Sequence, residues 1–317
     1  MTMTNTAAIV TTLKHPGEPL GSFLTYHFSI GFDRIFLFFD DEFDPMIPLA
    51  ASFPGVTVIK NDASLKAEWK KTRIYSRNAD VTSFIDEEVM ARQLLNVEVA
   101  VKLAHDFKID WLLHIDHDEL FFTKSGNVKE HFQVLSASGI KSMQYLNHES
   151  IPEKVTINDP FKEVTLFKKN PMILSKNEIG YLEKLSDQRH FLYYWNGKSS
   201  GKVSEDPEPE HVHGFKYHQA HHVTSDPCIL HYPVCGLTNF IEKYKILGKF
   251  KDKWFDSGVI KDLIPFHIEA RDIISTEDDV KIKNFYLNRI MANKERVKYG
   301  LSNGIYFREL VPWEIVA

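Results

Sequence analysis

The stretch WLLHIDHDELFF, residues 111–122, decides how the chain is read. An apolar run ends in four consecutive polar residues, Asp116, His117, Asp118 and Glu119, and two phenylalanines follow. The run has the length and composition of a buried strand. Side chains alternate faces along a strand, so Asp116 and Asp118 are expected on one side. In open α/β sheets, ligands bind beyond the carboxyl ends of the strands. Two carboxylates in that place serve packing poorly and suit Mg²⁺ or Mn²⁺, which take oxygen ligands and bridge substrate phosphates.

Upstream, the same grammar repeats. AAIVTTL (7–13) reads as a strand, and PLGSFLTYHFSI (19–30) as a helix with Pro19 in its first turn and Gly31 as its stop. RIFLFF (34–39) and VTVIK (56–60) read as further strands. A helical pattern runs from about Asp86 to Phe107, with Val89, Leu94, Val97, Val101 and Ala104 on one side. Alternating strands and helices predict an α/β domain with a mostly parallel central sheet flanked by helices. The strand at 34–39 runs into Asp40 and Asp41, a second acidic strand end that could accept hydrogen bonds from a ribose or a base.

Downstream the pattern loosens. Residues 130–140 read as a helix and 141–146 as a strand, and GKSSGKVSEDPEPEHVHGF (197–215) reads as a long polar loop. Helices return from 237. The expected organisation is one domain over 1–236 with a helical extension over 237–317 packed on it. Seven of the fifteen histidines fall between His190 and His231, with His211, His213, His218, His221 and His222 among them. A period-two argument puts His211 and His213 on one strand face. The cluster also admits a histidine-based transition-metal site, although no H-E-x-x-H string occurs. The adjacent Tyr193, Tyr194 and Trp195 cannot all be buried on one face, and a sugar could stack there.

Composition excludes several classes. The 317 residues are 43% hydrophobic and 26% charged, which describes a globular chain and not a disordered one. A net charge of -5 argues against a dedicated nucleic-acid binder. Two cysteines, Cys228 and Cys235, make neither a disulfide scaffold nor a four-cysteine zinc site. No 18-residue apolar run, secretory signal or N-x-[ST] sequon occurs, so the expectation is a cytoplasmic protein, or a membrane-anchored one if the sequence is a trimmed piece. No G-x-G-x-x-G string and no P-loop string occurs.

Three blocks together resemble a nucleotide-sugar glycosyltransferase of the GT-A fold, and more narrowly families 2 and 92 with their DUF23-type members. They are LKHPGEPLGSFLTYHFSIGFDRIFLFFDD, ARQLLNVEVAVKLAHDFKIDWLLHIDHDELFF and CILHYPVCGLTNFIEKYKILGKF. The resemblance implies that Asp116 and Asp118 hold Mn²⁺ or Mg²⁺ on the donor diphosphate, and that a late histidine, His231 or His213, completes the shell. It implies that Asp40 contacts the nucleotide and that Glu18 lies near the same pocket. Arg77 and Arg92 are candidates for the phosphates, since a guanidinium matches phosphate oxygens. Lys198 and Lys202 look like the family's basic loop, which could close over the diphosphate. An inverting transfer needs a base for the acceptor hydroxyl; Glu149, Asp159, Glu178, Glu205 and Asp206 are candidates, and Glu149, soon after the strand at 141–146, is the expected one. The expected donor is a UDP-sugar and the expected acceptor a glycan or another hydroxyl. Two rivals remain: a nucleotidyl- or phosphoryl-transfer enzyme on a related sheet, and a non-catalytic member that binds a nucleotide sugar or glycan.

Overall fold

The computed structural model describes residues 5–184, 190–216, 222–248, 250–253 and 260–316. Of the clustered histidines, His218 and His221 lie outside the described residues. In chain order the elements that position the site are β1 (Ala7–Leu13), α1 (Pro19–Ser29), β2 (Arg34–Phe39), β3 (Val56–Lys60), α2 (Val89–Asp106), β4 (Trp111–His114), β5 (Glu119–Phe122), α3 (Val128–Ala137) and β6 (Ser142–Ser150). β7 (Leu166–Lys168), β8 (Lys198–Lys202), β9 (Pro209–His211), β10 (Gly214–Phe215) and β11 (Val223–His231) come next. They are followed by α4 (Leu237–Leu247), α5 (Pro265–Ile274) and β12 (Tyr306–Arg308). No helix among the described residues is long and apolar enough to cross a membrane.

The chain divides into two compact units, Met1–Leu146 with Asn196–Ile229, and Asn147–Trp195 with Leu230–Ala317. In the first unit, β1 lies between β2 and β4 with both neighbours parallel, and β3 continues the parallel order beyond β2. On the far side of β4 the pairing turns antiparallel, through β8 to the first residues of β6. The apolar run of β1 is buried at every position, as is that of β4. Two aspartates fix the strand starts: Asp33 Oδ2 accepts from Ala7 N at 2.9 Å, and Asp110 Oδ2 accepts from Thr6 N at 2.8 Å.

β8 lies inside the stretch that reads as a long loop. KSSGK has no apolar side chain, yet four of its five residues are buried. Small hydroxyls replace apolar packing: Ser200 Oγ pairs with Tyr145 Oη at 2.8 Å, and Ser199 Oγ accepts from Phe215 N at 2.9 Å. Gly197 precedes it at φ +76°, where an added Cβ would lie 2.0 Å from the Tyr145 carbonyl oxygen. Only glycine meets both conditions without strain.

In the second unit, the last residues of β6 pair with β7, and β7 pairs with β12, both antiparallel. Leu192, Tyr193 and Val234 share a core with Phe240, Tyr244, Phe266, Ala270 and Tyr286. The helices after residue 237 therefore belong with 147–195, and the expected boundary at 236 does not describe the compact units. Tyr193 is buried, whereas Trp195 is half exposed. Cys228 and Cys235 are buried and form no disulfide.

His27 ties α1 to β5. Its Nδ1–H donates to Phe23 O at 2.9 Å, and Nε2 accepts from Phe121 N at 3.2 Å. Burial pushes its pKa down to about 3, against a smaller upward pull from Phe23 O. The unfolded chain binds this proton near pH 6.5 and the folded chain does not. The imidazole's contribution is therefore complete above about pH 6.5 and is lost as pH falls toward 3, by about 1.4 kcal/mol per pH unit. Urea unfolding at a series of pH values should show that slope, and His27→Gln should flatten it.

Candidate functional site

Helix α2 assembles the carboxyl ends of three strands. One stretch of it carries Arg92, Gln93 and Asn96, all buried, and each bonds to a different strand end. Arg92 grips Asp40, just after β2, with Nε to Oδ1 at 2.5 Å and Nη2 to Oδ2 at 2.8 Å. Gln93 Nε2 donates to Asp116 Oδ1, just after β4, at 2.7 Å. Asn96 Nδ2 donates to Thr12 Oγ1 in β1 at 2.9 Å, and its Oδ1 accepts from Trp69 Nε1 at 2.8 Å. A helix that is polar on its buried side is explained by these bonds, since buried polar groups need partners.

The structure brings Asp116, Asp118, Glu119, Lys198 and His213 into one electrostatic cluster and adds His114 and Gln93, which sequence reasoning missed. Asp116 to Asp118 lie in the turn between β4 and β5, so strand alternation does not govern them. Asp116 Oδ2 accepts from Lys198 Nζ at 2.6 Å, and its side chain is 26% exposed. Burial raises its pKa, but Lys198 beside it brings the net value down to about 2. Glu119 begins β5 and is fully buried; its Oε2 accepts from Asp116 N at 2.7 Å. Burial pushes its carboxyl well above the ordinary range, against the pull of Lys198. Burial also pushes His114 down to about 3, helped by Lys198. Among the described residues, neither nitrogen of His114 nor Oε1 of Glu119 has a hydrogen-bond partner. Orphaned buried polar atoms are rare in folded proteins, and here there are two on His114 and one on Glu119.

Other expected site residues fall elsewhere. Lys198 is not on a mobile lid: it is the first residue of β8 and has no solvent exposure. Lys202 closes the same strand, its N–H donating to Lys141 O. Arg92 is committed to Asp40 and to Ile85 O, so it is no free phosphate ligand. Arg77 is exposed at the end of the short helix Arg73–Arg77, where its charge acts on Glu208. Glu18 is exposed at the N-cap position of α1 and makes no side-chain cap. His211 and His213 flank the turn of the β9–β10 hairpin and do not share a strand; His213 N donates to His211 Nδ1 at 3.1 Å. In the second unit, His231 is buried against the rings of Tyr193 and Tyr194. Glu149 there accepts from Lys168 Nζ at 2.5 Å, from Leu192 N at 3.0 Å and from Tyr193 N at 2.9 Å. That carboxylate is an anchor, and a base role would require its network to open.

Two curated Arabidopsis thaliana proteins named glycosyltransferase-like are similar to this chain. One is 27% identical over 311 residues, covering 92% of this chain and 67% of the relative; the other is 25% identical over 307 residues, covering 92% and 59%. The chain thus spans about two thirds or less of the relatives it matches. No family model matches. Among solved structures, a CMP:2-keto-3-deoxy-manno-octonic acid synthetase complexed with CTP aligns over 64% of this chain and 76% of its own, at 12% identity and a TM-score of 0.29. A 4-diphosphocytidyl-2C-methyl-D-erythritol synthase from Anaerococcus prevotii aligns over 81% of this chain and 84% of its own, at 12% identity and a TM-score of 0.30.

A divalent ion at this turn would need free carboxylate oxygens. Such an ion sits roughly 2.0–2.6 Å from a carboxylate oxygen. Each oxygen of Asp116 already accepts a hydrogen bond, one of them from a buried ammonium. A dication on Oδ2 would stand within a few ångströms of that ammonium, a repulsion on the order of twice the ~4 kcal/mol of two unit charges near a protein surface. No group of three or more His, Cys, Asp or Glu among the described residues is arranged to hold a metal. With both of its oxygens committed in this way, Asp116 does not fit a metal ion in this arrangement.

Proposed function

We propose that the protein is a glycosyltransferase on a GT-A-type sheet that moves a sugar from a UDP-sugar to an acceptor hydroxyl with inversion. The observation that carries this reading is the pair of acidic strand ends on either side of β1, Asp40 after β2 and Asp116 after β4, both held by α2. The crevice beyond the carboxyl ends of parallel strands is where α/β proteins bind nucleotides. The name shared by the two plant relatives points the same way.

In this reading Asp41, whose side chain is 35% exposed, offers the nucleoside a carboxylate that the buried Asp40 does not. Lys14, at the end of β1, holds its ammonium 3.9 Å from Asp40 Oδ2 and keeps its side chain 41% exposed, within reach of a diphosphate. Asp116, fixed by Gln93 and Lys198, presents its exposed edge to the donor. The acceptor oxygen attacks the anomeric carbon and forms the new C–O bond. The bond from that carbon to the phosphate oxygen breaks, its electron pair leaves with the nucleoside diphosphate, and a base takes the hydroxyl proton. Holding both partners in line is the main service such a site supplies.

A panel of UDP- and GDP-sugars, scored for release of nucleoside diphosphate, tests the reading. Release from a sugar donor that disappears in Asp116→Ala, with an unchanged circular dichroism spectrum, is the expected result. Pyrophosphate release from a nucleoside triphosphate and a sugar phosphate, with no turnover of any sugar donor, would mean nucleotidyl transfer instead.

A further inference from the structure

The turn after β4 crowds three carboxylates, Asp116, Asp118 and Glu119, into four residues. One buried cation faces them. Lys198 Nζ lies 2.6 Å from Asp116 Oδ2, 3.7 Å from Glu119 Oε2 and 3.1 Å from the carbonyl oxygen of Val212. The lysine reaches this point from inside the sheet, on β8 between β4 and β6, and Gly197 fixes the chain just before it. Burying an ammonium costs several kcal/mol unless close countercharges and further acceptors offset it. Asp116 and Glu119 of the carboxylate turn and the Val212 carbonyl surround this ammonium, so the charge is built in.

We propose that Lys198 does the work of a divalent cation at this site, so that the protein binds its nucleoside-diphosphate donor without Mn²⁺ or Mg²⁺. This rests on the glycosyl-transfer reading and deepens it. The ammonium neutralises Asp116 and holds it in place with Gln93. Asp116 then meets the donor as a hydrogen-bond acceptor, and the diphosphate does not approach an uncompensated carboxylate. Lys198 is fully buried, so it acts through Asp116 and is a positioning residue.

Isothermal titration of UDP, GDP, ADP, CDP and dTDP into the full chain, once in excess EDTA and once in Mn²⁺, tests the proposal. The expected result is that at least one nucleotide binds in EDTA with a Kd within about tenfold of that in Mn²⁺. A loss of about tenfold or more in EDTA would overturn the proposal and leave the glycosyl-transfer reading standing. No binding of any of the five under either condition would remove both. Direct titration of Mn²⁺ gives a second reading. The wild type should bind none, and Lys198→Met, which frees Asp116, should gain Mn²⁺ binding. If Lys198→Met does not fold, Asp116→Asn with Lys198→Met removes both charges and keeps the shape. That double variant should bind no Mn²⁺, and nucleotide binding should be equally weak in EDTA and in Mn²⁺. A wild type that binds Mn²⁺ in the absence of nucleotide, and loses it in this double variant, would overturn the proposal.

Discussion

Arg92→Ala is expected to destabilise the protein by about 3–5 kcal/mol, because it leaves a buried carboxylate without its partner. The two side chains are 9% and 5% exposed, and the guanidinium makes two parallel bonds to Asp40. Lys14, at 3.9 Å, is too far and too exposed to compensate. A typical domain has only about 5–15 kcal/mol in hand, so the variant should melt far below the wild type. Arg92→Lys should recover only part of the loss, since an ammonium cannot reproduce the planar fork. Urea unfolding of the three proteins measures both steps. A loss under about 1 kcal/mol would mean that the pair contributes no more than an exposed ion pair does.

Glu149→Ala should cost about as much, on the order of 3–5 kcal/mol, by stranding the buried Lys168 ammonium. It also removes the acceptor of Leu192 N and Tyr193 N. Glu149→Gln separates an anchor from a base. It keeps one acceptor oxygen and loses the charge, so as an anchor it should be destabilised with sugar transfer falling only in proportion to the folded fraction. A Glu149→Gln protein as stable as the wild type and without turnover would return Glu149 to the role of base. Thermal melts beside a transfer assay decide between these.

The first half of the fold was legible because its strands are continuous apolar runs. Residues 7–13, 34–39 and 56–60 stand where periodicity placed them. β4 is shorter than its apolar run, because the chain turns at Asp116 to start β5 at Glu119. β8 was not legible at all. Its buried faces are served by Ser199, Ser200 and an ion pair, none of which leaves an apolar signature. For the same reason Lys198 reads as loop in the sequence and stands inside the sheet in the structure. Gln93 and Asn96 could have been found: two polar residues on the buried side of a helix facing strand ends call for partners. Glu149 and Arg92 carry no sequence sign of their commitments, since both partners, Lys168 and Asp40, are set by strand pairing and helix packing. The unit boundary was hidden because residues 190–195 join the C-terminal helices through a core that no local pattern announces.

In the proposed enzyme a nucleotide sits at the strand ends around β1. Hydrogen–deuterium exchange of the full chain, with and without saturating UDP or GDP, tests it most directly. The expected result is slowed exchange at residues 13–18, 40–46 and 115–119, with the helices α4 and α5 unchanged. Protection confined to residues 190–195 or 230–247, with the three strand ends unaffected, would contradict it.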